Sequence, residues 1–210
     1  MATILRSWSY RYQWLYDAVS WVSTLPIGGV ARFHRLPVDG IVLGRHAAVL
    51  DLCCGSGQAT AYLAARYTNV TGLDASPKSI ERARRNVPSA SYVEAWAEAM
   101  PFDDQHFDLV HTSVALHEMT PEQLSKILGE VNRVLKPGGI FACIDLHQPS
   151  NPVLVPGLYT FMLLFETETA WQLIKTDLAA TVAQHGFEIQ RQTYHGGGSL
   201  QVIQAVKLPQ

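Results

Sequence analysis

The segment at 49–60, VLDLCCGSGQAT, constrains this chain more than any other. An apolar run that reads as a buried strand meets Gly55-Ser56-Gly57 and passes at once into helix-forming sequence. Glycine is needed at such a turn because a side chain would hold a ligand away from the backbone. The fresh helix N-terminus supplies N–H groups that have no partner inside the helix. Strand, glycine turn and helix in that order open a βαβ unit. Asp74 closes the next apolar run, where an acidic side chain accepts hydrogen bonds from both hydroxyls of an adenosine ribose. The turn therefore predicts a nucleoside-containing ligand.

The rest of the chain alternates in the same way. Strands are expected at 47–53, 70–73, Ser91–Glu94, Phe107–Ser113 and 140–146, with helices at 58–67, 76–86 and 121–135. Ser76-Pro77 reads as an N-cap followed by proline at the first helical position. Pro137-Gly138-Gly139 is expected to stop the third of these helices. A helix at 171–185 and a hairpin of 187–194 with Leu200–Lys207, joined through Gly196-Gly197-Gly198, complete the chain. The pattern predicts an α/β, Rossmann-like, doubly wound sheet of seven strands, mostly parallel, with an antiparallel carboxy-terminal hairpin strand.

With 210 residues, 48 % hydrophobic and 16 % charged, the chain has apolar material for one domain over 1–210. Its net charge of −2 supplies no basic field for a phosphate backbone, so nucleic acid is not an expected partner. Three cysteines, Cys53 and Cys54 adjacent, make no disulfide framework and fit a reducing compartment. They read as small packing residues, with no further ligands at metal spacing, so no metal site is expected. The stretch at 1–16 is polar and aromatic and lacks the apolar core of a secretory signal, which predicts a cytoplasmic protein.

Which nucleoside ligand is expected follows from two residues. A dinucleotide fingerprint wants a small residue at the place held by Thr60. Asp51, at the end of the first strand, suits a cation better than a pyrophosphate. S-adenosyl-L-methionine carries an ammonium and a sulfonium and no phosphate, and is preferred over a nicotinamide cofactor.

VLDLCCGSG, TGLDAS, AWAEAMPF, FDLVHTSVALHEM and VLKPGGIF resemble, in order and spacing, the successive motifs of class I S-adenosylmethionine-dependent methyltransferases. The resemblance covers about 12–207. Tyr16-Asp17, the Cys-Cys pair and the ending GFEIQRQTYHGGGSLQVIQAVK are similar to the branch that C-methylates ubiquinone, menaquinone and phylloquinone precursors. The resemblance implies that Asp51, Cys53, Gly55 and Gly57 line the methionine half of the cofactor. It implies Asp74 at the ribose, Ala75 and Ser76 beside the adenine, and the Ala97 backbone on the adenine ring. Thr112 and Ser113 would lie beneath the sulfonium, and Tyr16 would belong to an amino-terminal lid at about 1–40. One departure is Trp96, where the family has an aspartate that bonds the adenine amino group. An indole N–H cannot repeat that bond. Either Glu94 or Glu98 replaces it, or the indole packs on the adenine.

A carbon acceptor on a phenol or quinol ring needs its hydroxyl deprotonated, and histidine suits that work near neutrality. His117, just beyond the fourth strand, is the first candidate base; Glu118 orients it or acts itself, and His147 is a further candidate. The apolar insertion at 148–170, densest at 152–165, reads either as an extra core helix or as a cap for a small lipophilic acceptor that also touches a membrane surface. Its apolar run is too short to span a bilayer. C-methylation of a prenylated quinol is the leading expectation. O- or N-methylation of another small metabolite, a nicotinamide-dependent reductase and a non-catalytic cofactor-binding protein are the alternatives.

Overall fold

The computed structural model describes residues 21, 24–149, 151, 153, 155–165 and 167–209. Tyr16 and most of the first half of the expected lid lie outside the described residues, as do Pro152 and Leu154 of the insertion.

Seven strands form one sheet in the order β3-β2-β1-β4-β5-β7-β6. They are β1 (Ala48–Leu52), β2 (Asn69–Asp74), β3 (Ser91–Glu94), β4 (Phe107–Ser113), β5 (Leu135–Leu146), β6 (Phe187–His195) and β7 (Leu200–Lys207). The first five pair in parallel, and β7 runs antiparallel to both β5 and β6. The chain winds outward from β1 to β3 and then returns to β4, beside β1. That reversal opens a crevice at the carboxyl ends of β1 and β4, where open α/β sheets bind ligands.

Successive residues of each strand face opposite sides. Val49, Leu109 and Ala142 pack with Leu63 and Tyr67 on one face, beside α2 (Gln58–Arg66). Leu50, Leu52, Val110 and Phe141 pack with Leu124, Ile127, Leu128 and Val182 on the other, under α4 (Pro121–Val134) and α7 (Leu178–Gln184). The short helix α1 (Val30–Arg35) and α3 (Pro77–Asn86) flank α2. The expected cap forms, with Ser76 Oγ accepting from the Ser79 N–H at 3.3 Å, and Thr120 forms a capping box with Gln123.

Three boundaries differ from expectation. The helix ends at Val134, ahead of Pro137-Gly138-Gly139, which lies inside β5 as a bulge, because Leu135 already pairs with Phe107 before the register resumes at Leu109 and Ile140. The single helix expected at 171–185 is two, α6 (Glu168–Leu173) and α7. Asp177 causes the break, since its carboxylate accepts from the Ala180 N–H at 3.0 Å and so caps a new helix. Third, the described part of the expected lid is fastened to the sheet from residue 25 on. Gln204 Nε2 donates to the Pro37 and Asp39 carbonyls at 2.9 Å each, and Arg66 donates to those of Val38 and Ile41 at 3.3 and 3.0 Å. Ile27 and Phe33 pack on Ile144 and Val202.

The insertion carries α5 (Val155–Phe165). Met162 is buried against Leu146, Ala170 and Ile174, whereas Leu163 is 66 % and Val153 79 % exposed. Among the described residues no helix is long and apolar enough to cross a membrane.

Candidate functional site

The crevice begins at the glycine turn. Cys53, Gly55 and Gly57 all have left-handed backbone, with φ of 57°, 55° and 87°. The two glycines are needed for different reasons. A Cβ built on Gly55 meets nothing within 4 Å, so it would project into the open space a ligand fills. A Cβ on Gly57 comes within 3.3 Å of Ala83, so this glycine lets α2 and α3 approach rather than opening room for a ligand. Gly57 also leaves α2 without a side-chain cap, and the first-turn N–H groups face the crevice unsatisfied by the helix.

Asp74 lies at the rim. One oxygen accepts from the Gly55 N–H at 2.9 Å and the other from the Ser76 N–H at 2.8 Å. The carboxylate is thereby aimed, and its remaining lone pairs suit ribose hydroxyls. Ala75 is exposed, Ser76 half-buried, and Ala97 buried beside Trp96, which is 68 % exposed. Glu98 accepts from Gln123 Nε2 at 2.9 Å, while Glu94 is exposed. The open space at Gly55, the fixed carboxylate and the exposed indole together fit a nucleoside carrying a short polar tail.

Two residues expected to touch that ligand do not reach it. Asp51 is 1 % exposed, and its oxygens are taken by His111 Nδ1 at 2.9 Å and Thr60 Oγ1 at 2.5 Å. It fastens β1 to β4 and α2 beneath the turn, acting on a cation only through its field. Thr60 is thus a partner of Asp51 as well as a departure from the dinucleotide pattern. Thr112 is wholly buried, with its hydroxyl unpaired among the described residues, so Ser113 alone of that pair reaches the edge. Burial, with Asp74 and Asp51 nearby, pushes the Cys53 thiol up to about 12, and burial raises Cys54 further. Both stay protonated thiols; Cys54 fills the space that Gly72 leaves beside Tyr92.

The chemical candidates occupy the ends of β4 and β5. Val114, with φ of 46°, turns the chain sharply out of β4 into a single helical turn, Leu116–Glu118. A β-branched residue rarely adopts that backbone, and strain of this kind collects at functional sites. The turn presents His117, whose Nδ1 lies 2.7 Å from Asp145 Oδ1. Asp145 is fully buried and also accepts from the Leu116 N–H at 2.8 Å. A carboxylate can only accept, so Nδ1 carries the proton and Nε2 is the basic nitrogen. Glu118 Oε1 lies 4.0 Å from Nε2, on the side of the ring away from Asp145. Asp145 orients the ring, and the sequence alone did not single it out. Helix α6 packs directly on this turn. His147 is held elsewhere, by the Gly198 carbonyl at 2.8 Å.

Among the described residues no cluster of histidine, cysteine and carboxylate side chains suited to a metal occurs.

Comparison with known proteins agrees with this geometry. Residues 49–139 match the family described as methyltransferase domain. An uncharacterized methyltransferase of Synechocystis is 60 % identical over 205 residues, covering 98 % of this chain and 97 % of its own. A demethylmenaquinone methyltransferase of Chlorobaculum parvum is 37 % identical over 125 residues, which are 59 % of this chain; the match spans only half of that relative. A solved S-adenosylmethionine-dependent methyltransferase from Methanosarcina mazei superposes with a TM-score of 0.66 at 24 % identity, over 83 % of this chain and 98 % of its own, and so shares the fold. The chain belongs to the methyltransferases.

Proposed function

We propose that this enzyme methylates a ring carbon of a small quinol-like acceptor that carries an apolar tail. The observation that carries the reading is the His117–Asp145 pair, a base of fixed tautomer at the strand ends, with the apolar helix α5 packed on Leu146 next in sequence to Asp145. The similarity to a demethylmenaquinone methyltransferase supports the same acceptor class.

When bound, S-adenosylmethionine supplies an electrophilic methyl group on its sulfonium. The fold holds the acceptor ring in line with that group and excludes water, which is most of what methyl transfer requires. His117 Nε2 removes the hydroxyl proton, and the resulting oxyanion pushes electron density into the ring. With the methyl group supplied to the ring carbon, that carbon would lose its own hydrogen as a proton. Asp145 keeps the imidazole in the reactive tautomer and stabilises the imidazolium that forms. Exposed Leu163 and Val153 offer the tail, or the membrane surface that delivers it, an apolar bed.

The test compares a prenylated naphthoquinol with its tail-less ring. Each methylene buried on α5 contributes about 0.8 kcal/mol. The Val153→Ser, Leu163→Ser double variant is expected to raise KM for the tailed acceptor about tenfold and to leave KM for the bare ring unchanged. Because both side chains are exposed, the fold should be unaffected, with an unchanged Tm as the control. Equal effects on the two acceptors would overturn the tail assignment.

A further inference from the structure

A cleft of about 480 Å³ opens on the other side of the β5 end, roofed by the turn between α6 and α7. Its volume is within the range of small-molecule sites. His147, Lys175, Gln192, Tyr194 and Gln201 are among its walls. It adjoins the His117–Asp145 pair, since Gln201 of β7 stands directly opposite Asp145 in the sheet. His147 follows Asp145 by two residues, about 6.7 Å along an extended strand.

His147 is built as carefully as His117. The Gly198 carbonyl 2.8 Å from Nδ1 can only accept, so Nδ1 carries the proton and Nε2 keeps the lone pair. The backbone N–H of His147 donates to the Ser199 carbonyl at 2.9 Å, and its ring lies against Tyr194 with centroids 4.6 Å apart. Two imidazoles of the same tautomer thus flank the end of one strand. One is backed by a carboxylate and the other by a carbonyl. With Nδ1 committed to the Gly198 carbonyl, His147 Nε2 is placed to accept a hydrogen bond.

We infer that this cleft receives the second ring oxygen of the acceptor, that His147 Nε2 accepts its hydrogen bond, and that the enzyme thereby selects rings with two opposed hydroxyls over rings with one. The inference rests on the quinol reading above. A ring whose first hydroxyl faces His117 directs the opposed hydroxyl away from the cofactor crevice, and the cleft provides an acceptor there together with polar amides. His147 is a specificity residue in this account and takes no part in the transfer itself.

The experiment uses the full chain with S-adenosylhomocysteine bound. Calorimetry under nitrogen measures Kd for 1,4-dihydroxynaphthalene and for 1-naphthol. Two variants separate the ring nitrogens. His147→Asn retains a donor near the position of Nδ1 and loses Nε2; His147→Gln does the reverse. His147→Asn is expected to weaken the dihydroxy ring about tenfold and 1-naphthol less than twofold, while His147→Gln keeps most of the preference. If His147→Asn weakens both rings alike, or neither, the inference is overturned. A parallel turnover assay with wild-type enzyme separates the two levels. Methyl transfer to the dihydroxy ring with an unchanged binding preference in His147→Asn overturns the cleft assignment alone. No transfer to either ring overturns the quinol reading, and the cleft assignment with it.

Discussion

Two imidazole–carboxylate pairs are buried among the described residues, one on each face of the sheet. His111 and Asp51 meet at 2.9 Å, and His117 and Asp145 at 2.7 Å. Their chemistry is similar and their placement is not. His111 and Asp51 are directly opposed within β4 and β1, a full strand layer below the crevice, and Thr60 closes the remaining oxygen. His111 is 0 % exposed and its Nε2 has no hydrogen-bond partner among the described residues. His117 stands beyond its strand, on a turn set by the left-handed Val114, and is 5 % exposed, buried like its Asp145 partner. The first pair ties three elements together under the cofactor turn; the second delivers a base to the sheet edge. On the proposed reading, position relative to the strand ends separates a structural pair from a reactive one.

Mutating the two carboxylates should separate these roles. Asp145→Asn lets the amide donate to Nδ1 and moves the imidazole proton to Nε2. We expect kcat to fall about 10³-fold with cofactor Kd changed less than twofold, in line with the 10²–10⁴-fold contribution of a positioned base. Comparable losses in kcat and cofactor binding would reduce Asp145 to a structural role. Asp51→Ala should do the opposite. It strands two buried partners and should cost about 3 kcal/mol in urea unfolding, roughly 6–12 °C in Tm for a chain of this size. A loss below about 1 kcal/mol would mean that the pair ties nothing together.

The smallest expected effect concerns His34, on α1 behind the first pair. Burial, followed by the His111 imidazole, pushes His34 down to about 4 from 6.5. Its native pKa is below its unfolded one, so the unfolded chain binds more protons between these values. The associated stability is fully present above pH 6.5 and is lost as pH falls toward 4. His34→Gln removes this dependence. The urea midpoint of the wild type should therefore fall more steeply between pH 7 and 4.5 than that of the variant. Parallel profiles would show that His34 is not held neutral.

The same contrast explains what could be read from the sequence. Local signals were legible: the glycine turn, the Ser76 cap and the strand positions each depend on neighbours a few residues away. Asp74 was found because its place at the end of β2 is fixed by the turn before it. Asp145 and His111 were missed because each finds its partner across the sheet, 28 and 60 residues distant in sequence. The resemblance assigns Asp51 and Thr112 to the ligand, but both side chains are buried between the sheet and its covering helices. The purpose of Gly57 was likewise hidden, since it is set by Ala83 on another helix. Asp177 is the exception. Its capping signal is local, yet apolar spacing on either side of it disguised two helices as one.

The central claim is that a base of fixed tautomer directs methylation to carbon. The most direct measurement is single-turnover transfer of a 13C-labelled methyl group from S-adenosylmethionine to a prenylated naphthoquinol, with the product read by NMR. The account predicts the label on a ring carbon, at a rate reduced at least 10²-fold in His117→Ala with cofactor binding intact. Label on a ring oxygen, or an unchanged rate in His117→Ala, would contradict it.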